Sequence, residues 1–265
     1  MFIDTHTHLY VEQFDDDRKE IVQRALDAGV KQLLLPNIDA DSCTPLLKMV
    51  SDFPGVCYPM MGLHPCSVDE NYEEQLLRIE AAFDKSQIIA IGEIGIDLYW
   101  DKSTLPLQIE AFRRQVQQAL QLQLPIVIHA RDSFGELFEQ LDDLNCAELT
   151  GVFHCFTGGL QEAKKILDYG GFMMGIGGVS TFKNSGLDKV LSEIDPSHLI
   201  LETDAPYLAP VPYRGKRNES AYIPLIASNL SEIYGISEEE IGKITSANAY
   251  RLFPKLNRLL NKETL

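Results

Sequence analysis

Eight short apolar runs recur along the chain, and stretches of helical periodicity lie between them. The runs are Met1–Asp4, Gln32–Pro36, Cys57–Met61, Ile88–Gly92, Ile126–His129, Gly151–His154, Phe172–Ile176 and Leu199–Glu202. They show little polar alternation, as expected for parallel strands covered on both faces. Between them, Asp15–Ala28 places Ile21, Ala25 and Ala28 on one stripe, and Leu105–Leu122 does the same with Phe112, Val116 and Leu120. Eight β runs separated by helices predict an α/β fold, a single-domain TIM (β/α)8 barrel over residues 1–265. A doubly wound open sheet fits less well, because no G-x-G-x-x-G or Walker-type loop follows the first run.

Composition narrows the function. A chain of 265 residues with 45% hydrophobic content has a core, so disordered and disulfide-scaffold classes are excluded. The formal net charge of −16 argues against a protein that coats duplex DNA, but not against phosphate substrates neutralised by bound cations. The five cysteines are scattered without a Cys-x-x-Cys pair, which suits reduced thiols in the cytoplasm. The first residues lack a basic region followed by an apolar stretch, and no apolar run approaches the roughly 18 residues of a membrane span. A soluble, cytoplasmic chain is the expectation, with no membrane partner and compatible with a monomer.

Polar residues fall where barrel enzymes keep their chemistry, at the C-terminal ends of strands. In chain order these are His6 and His8, Asn37, His64, Glu93, His129 and Arg131, His154, and Glu202 and Asp204. Five of the six histidines belong to this set, His198 being the exception.

Each member alone has an ordinary reading. His6 and His8, spaced i, i+2, point the same way on a strand and can share a cation, but can equally be solvent-facing. Glu93 in Ile91-Gly92-Glu93-Ile94-Gly95 is an acid in an apolar setting, answered by a buried arginine or by metal. His129 and His154 end apolar runs, where a lone histidine is usually a satisfied core residue. Glu202 and Asp204 are acids at i, i+2 that suit a capping pair, or a cation site with one of them orienting a ligand.

Together they supply four imidazoles and several carboxylates. That mixture suits Zn, Mn or Fe better than a purely oxygen-ligated ion, and two divalent cations about 3.5–4 Å apart would use the whole set. Neighbouring His64, Arg131 and Arg217 suggest a phosphoester, because arginine forks match phosphate oxygens. Tyr99, Trp100 and Tyr207 can stack a base, although aromatics near strand ends more often serve packing.

These residues resemble a known family. Asp4-Thr5-His6-Thr7-His8, Gly62-Leu63-His64-Pro65, Ile91-Gly92-Glu93-Ile94-Gly95-Ile96-Asp97, His129-Ala130-Arg131, His154-Cys155-Phe156-Thr157-Gly158 and Glu202-Thr203-Asp204-Ala205-Pro206-Tyr207-Leu208 are similar, in order, to the motifs of TatD-type metal-dependent hydrolases. One motif position departs, since Ser220 follows Arg217-Asn218-Glu219 where the family often has proline. The resemblance implies a TIM barrel, two divalent cations (Mg, Mn or Zn) and deoxyribonuclease activity, 3′-to-5′ in some members. It implies one metal on His6, His8, Glu93 and Asp204, and another on Glu93, His129 and His154. Glu93 would bridge, and His64 would stand beside the metals or contact phosphate.

The expected function is therefore a metal-dependent phosphodiesterase, most simply a deoxyribonuclease acting on short or single-stranded ends. Asp204, Glu93 and His64 would be its catalytic residues, with His64, Arg131, Arg217 and Glu202 near substrate. Two alternatives share the same residues. One is a binuclear amidohydrolase or lactonase, and the other is a non-catalytic, metal-stabilised nucleic-acid-processing partner.

Overall fold

The structure is a computed structural model describing residues 1–256; residues 257–265, the tail of the expected domain, lie outside the described residues. Eight parallel strands form in chain order: β1 Phe2–Asp4, β2 Val30–Pro36, β3 Cys57–Met60, β4 Ile91–Asp97, β5 Ile126–Arg131, β6 Gly151–Phe153, β7 Phe172–Ile176 and β8 Leu199–Leu201. Ladders join β1-β2-β3 and β4 through β8. Backbone bonds close the two seams. Met61 donates to Ala90 and Gly92 to Met61, while Thr5 donates to Leu201 and Asp204 to His6. The result is a closed (β/α)8 barrel.

Its helices are α1 Arg18–Asp27, α2 Cys43–Asp52, α3 Tyr72–Ala82, α4 Leu105–Leu122, α5 Phe134–Leu144, α6 Leu160–Asp168, α7 Leu187–Leu191, α8 Ile223–Tyr234 and α9 Glu238–Leu252. The lack of alternation in the strands has a simple cause, because both faces are buried. Ile3, Leu34, Met60, Val127, Val152, Met173 and Ile200 fill the barrel interior. Their neighbours Leu33, Leu35, Ile126, Ile128, Phe153, Met174, Leu199 and Leu201 pack outward against the helices. Ala249 and Leu252 of α9, with Phe253 and Leu256, join the interior layer. Asn248 donates to the carbonyls of Pro196 and Leu199, so the end of α9 stops the N-terminal mouth. The chemistry is left to the opposite mouth.

One strand departs from expectation. β4 begins at Ile91 and runs on to Asp97, so Glu93 lies near its start rather than beyond its end. A register irregularity between Ile91 and Ile94 accommodates it. Gly95 then passes so close to β5 that a Cβ there would stand 2.0 Å from the His129 carbonyl oxygen, at a φ of +153°. Gly95→Ala is expected to cost about 3 kcal/mol, the range of a core clash compounded by backbone strain. A urea midpoint equal to that of the parent would contradict this.

Candidate metal centre

Strand parity aims the site. His129, His154 and Glu202 each lie two residues beyond an interior apolar residue, Val127, Val152 and Ile200. Side chains alternate along a strand, so all three continue into the barrel above its apolar layer. Gly175 makes room for one of them, because a Cβ there would fall 2.1 Å from Glu202 Oε2. Asp204 and Cys155 sit at φ of +56° and +44°, uncommon for non-glycine residues and typical of functional sites.

Two groups of donor atoms meet on Glu93. Its Oε2 lies 3.1 Å from His6 Nε2 and 3.5 Å from His8 Nε2, and the two imidazole nitrogens are 3.2 Å apart. Asp204 Oδ1 completes this group at 3.7 Å from His6 Nε2 and 3.5 Å from His8 Nε2. The other Glu93 oxygen, Oε1, lies 2.7 Å from His154 Nε2, 2.8 Å from His129 Nδ1 and 3.3 Å from His64 Nε2. A tetrahedral ion with bonds near 2.1 Å separates its ligands by about 3.4 Å, so both groups have the spacing of a coordination shell.

Hydrogen bonds on the far side of the rings set which nitrogen faces inward. His129 Nε2 is 2.9 Å from Asp97 Oδ2, which leaves the Nδ1 lone pair for the centre. His8 Nδ1 is 3.1 Å from the Tyr10 hydroxyl, whose own proton goes to the Pro36 carbonyl, so His8 donates there and presents Nε2 as an acceptor. His64 is the reverse. Its Nδ1 accepts the Cys66 N–H at 3.0 Å, so the neutral ring carries its proton on Nε2, pointing inward as a donor. That arrangement suits an anion better than a cation.

Electrostatics agree. Burial favours a neutral Glu93, but the charges of His154, His64 and His6 and the His129 hydrogen bond outweigh it and hold the carboxyl well below its usual range. Burial lowers His8, yet Asp204 and Glu93 overcome it and push the imidazole up to about 9. His154 and His129 are raised in the same way, against burial, by their carboxylate neighbours. His64 goes down, chiefly through burial. Carboxylates that draw protons onto three imidazoles are short of positive charge.

The donor set therefore fits divalent metal. It combines imidazole nitrogen and carboxylate oxygen, and the buried His6 Nδ1, His154 Nδ1 and Glu202 Oε2 have no hydrogen-bond partner among the described residues.

The remaining expected residues divide. Glu202 is fully buried beneath the rings, 3.5 Å from His154 Nδ1 and accepting the Cys155 N–H, so it has no access to a substrate it was expected to orient. Arg217 is tied to Asp17 at 2.6 Å and to the Gln13 carbonyl, over the Phe14 ring. These contacts hold it to the start of α1. Arg131 stands at the rim, its guanidinium 3.9 Å from the centroid of Tyr99. Asn37 is buried, donating to the Gly62 and Asp39 carbonyls, and so holds the loop that carries His64.

Sequence reasoning passed over Asp97 and Tyr10. Asp97 had a signal, since it shares strand parity with Glu93; Tyr10 had only its spacing from His8. Asp97→Asn is expected to weaken metal binding about 10–100-fold, the usual effect of losing a carboxylate behind a ligating imidazole. Metal titration by calorimetry measures it, and unchanged affinity would count against this role.

A closed parallel barrel with a histidine–carboxylate cluster at its C-terminal mouth defines the class of metal-dependent hydrolases. A sequence profile described as "TatD related DNase" matches residues 3–254, and the chain belongs to that family. It is 37% identical over 254 residues to the metal-dependent hydrolase YabD of Bacillus subtilis, covering 96% of this chain and 99% of that protein. It is 34% identical over 250 residues to the 3′-5′ ssDNA/RNA exonuclease TatD of Cronobacter sakazakii, covering 92% and 94%. The crystal structure of the TatD homologue YjjV from Escherichia coli superposes with a TM-score of 0.89 at 28% identity, covering 96% of this chain and 98% of that one.

Proposed function

We propose that this hydrolase is a binuclear phosphodiesterase, a deoxyribonuclease that removes nucleotides from the 3′ end of single strands. The observation that carries the reading is that the two oxygens of Glu93 face two separate donor groups. His6, His8, Glu93 and Asp204 would hold one cation, and Glu93, His129 and His154 the other. Bound there, divalent cations supply Lewis acidity and bring the ionisation of water towards neutrality.

The chain's own residues do the rest. Asp204 is the most open carboxylate of the cluster, its side chain 14% exposed against 3% for Glu93, so it is the group placed to accept a proton from water and pass it on. His64 directs its Nε2–H inward and donates to the phosphoryl oxygen as charge develops. Arg131 at the rim binds a neighbouring phosphate. Glu202, 3.5 Å from His154 Nδ1, places negative charge behind that ring. Five unpaired cysteines support a cytoplasmic setting, and no helix among the described residues is long and apolar enough to cross a membrane.

The test is metal-loaded protein on a single strand labelled internally and unlabelled at its 3′ end, beside a panel of amides and lactones. Progressive shortening from the 3′ end is expected, with Asp204→Asn at least about a hundredfold slower. Turnover of the amide or lactone panel with the strand untouched would replace this reading by the amidohydrolase one.

A further inference from the structure

Beside the metal centre lies a cavity of about 640 Å³, bordered by Tyr99, Arg131, Asp132, Ser133, Phe134 and Thr157 among others. Three loops build it, those after β4, β5 and β6; β4 carries Glu93, β5 carries His129, and His154 directly follows β6. Its size falls within the range of small-molecule sites.

One wall is unusual for an acidic, water-facing surface. Tyr99 is 55% exposed and Trp100 is 70% exposed, among the largest exposures of any apolar side chain described. They meet edge to face with centroids 5.0 Å apart. The Arg131 guanidinium carbon stands over this pair, 3.9 Å from the Tyr99 centroid and 5.6 Å from that of Trp100. It makes no ion pair among the described residues, although Asp132 and Glu162 also border the cavity.

The platform is also held rigidly to the reaction centre. Asp97 Oδ1 accepts the backbone N–H groups of Tyr99 at 2.9 Å and Trp100 at 3.1 Å, while its Oδ2 lies 2.9 Å from His129 Nε2. The Leu98 N–H donates to the Arg131 carbonyl. One carboxylate thus fixes both a metal-facing imidazole and the aromatic turn. Packing alone gives no reason to display two rings in water. An exposed aromatic pair beside a guanidinium that makes no ion pair does suit a heterocyclic base with its phosphate.

We propose that this cavity is a nucleoside subsite. The base of the nucleotide adjoining the cleaved phosphate stacks on the Tyr99–Arg131 wall, and the guanidinium edge holds that nucleotide's phosphate. The inference rests on the nuclease reading for its choice of occupant, and it explains a preference for unpaired strands, because a paired base cannot leave its stack to enter the cavity.

Trp100 is the chain's single tryptophan and stands against Tyr99 of the cavity wall, so its fluorescence reports on that wall. Metal-loaded protein is titrated with deoxyadenosine, dAMP and inorganic phosphate while Trp100 fluorescence is followed. Saturable quenching by deoxyadenosine and dAMP, and none by phosphate, is expected. Tyr99→Ala should weaken dAMP binding about tenfold, with Tyr99→Phe close to the parent. Quenching by phosphate equal to that by dAMP, or unaltered affinity in Tyr99→Ala, would overturn the subsite. The readout is binding, so loss of the nuclease reading in the strand assay and loss of the subsite in this titration are told apart.

Discussion

Glu93→Gln is expected to lower turnover at least about a thousandfold and to reduce the metal bound per chain, with the barrel still folded. The amide keeps the size of the side chain but removes the charge that both donor groups share. Glu93 Oε2 is within 3.5 Å of two imidazoles, and Oε1 is within 3.3 Å of three. Among the described residues no other carboxylate stands between the two groups, since Asp204 serves one and Glu202 lies beneath the rings. Elemental analysis with far-UV circular dichroism checks it. Full activity at the parent's metal content would remove the basis of the binuclear proposal.

Chelation is expected to stop turnover and to lower the melting temperature by on the order of 10 °C. A ligand that binds only the folded chain, present at about a thousandfold over its dissociation constant, contributes about 4 kcal/mol, and a chain of this length shifts a few degrees per kcal/mol. The loss should be large here because removing cations leaves the carboxylates of Glu93, Asp204 and Glu202 clustered with imidazoles as their only cationic neighbours among the described residues. Mn, Mg or Zn should restore both quantities. Chelator-treated, metal-free protein that melts and turns over like the loaded form would refute the dependence.

Much of this was legible in the chain. Eight apolar runs separated by helical periods implied the barrel, because only strands buried on both faces dispense with alternation. His129, His154 and Glu202 were legible as inward-facing, since parity from Val127, Val152 and Ile200 is a local property. His6 and His8 were legible as a pair for the same reason. The β4 boundary was not, because its register slip depends on how Ile91 and Ile94 meet β5.

Roles were harder to read than membership. Arg217 and Arg131 look alike in sequence, each a cation near a strand-end motif. Folding gave Arg217 the Asp17 carboxylate and left Arg131 on two rings. Glu202 and Asp204 are two residues apart, yet one is sealed under His154 and the other opens to water.

The chain by itself determined the barrel, the inventory of imidazoles and acids, and the mouth at which they gather, because these follow from periodicity and strand parity within single elements. Only the tertiary structure decided which nitrogen of each ring faces inward and that Asp97 joins the centre to an aromatic wall. It alone decided which arginine keeps its donors free. His129, Arg131 and Arg217 take their partners tens to hundreds of residues away, while His8 and His64 are set by neighbours two residues on, and a hydrogen bond or ion pair between distant segments exists only once the closed sheet has brought them within about 3 Å.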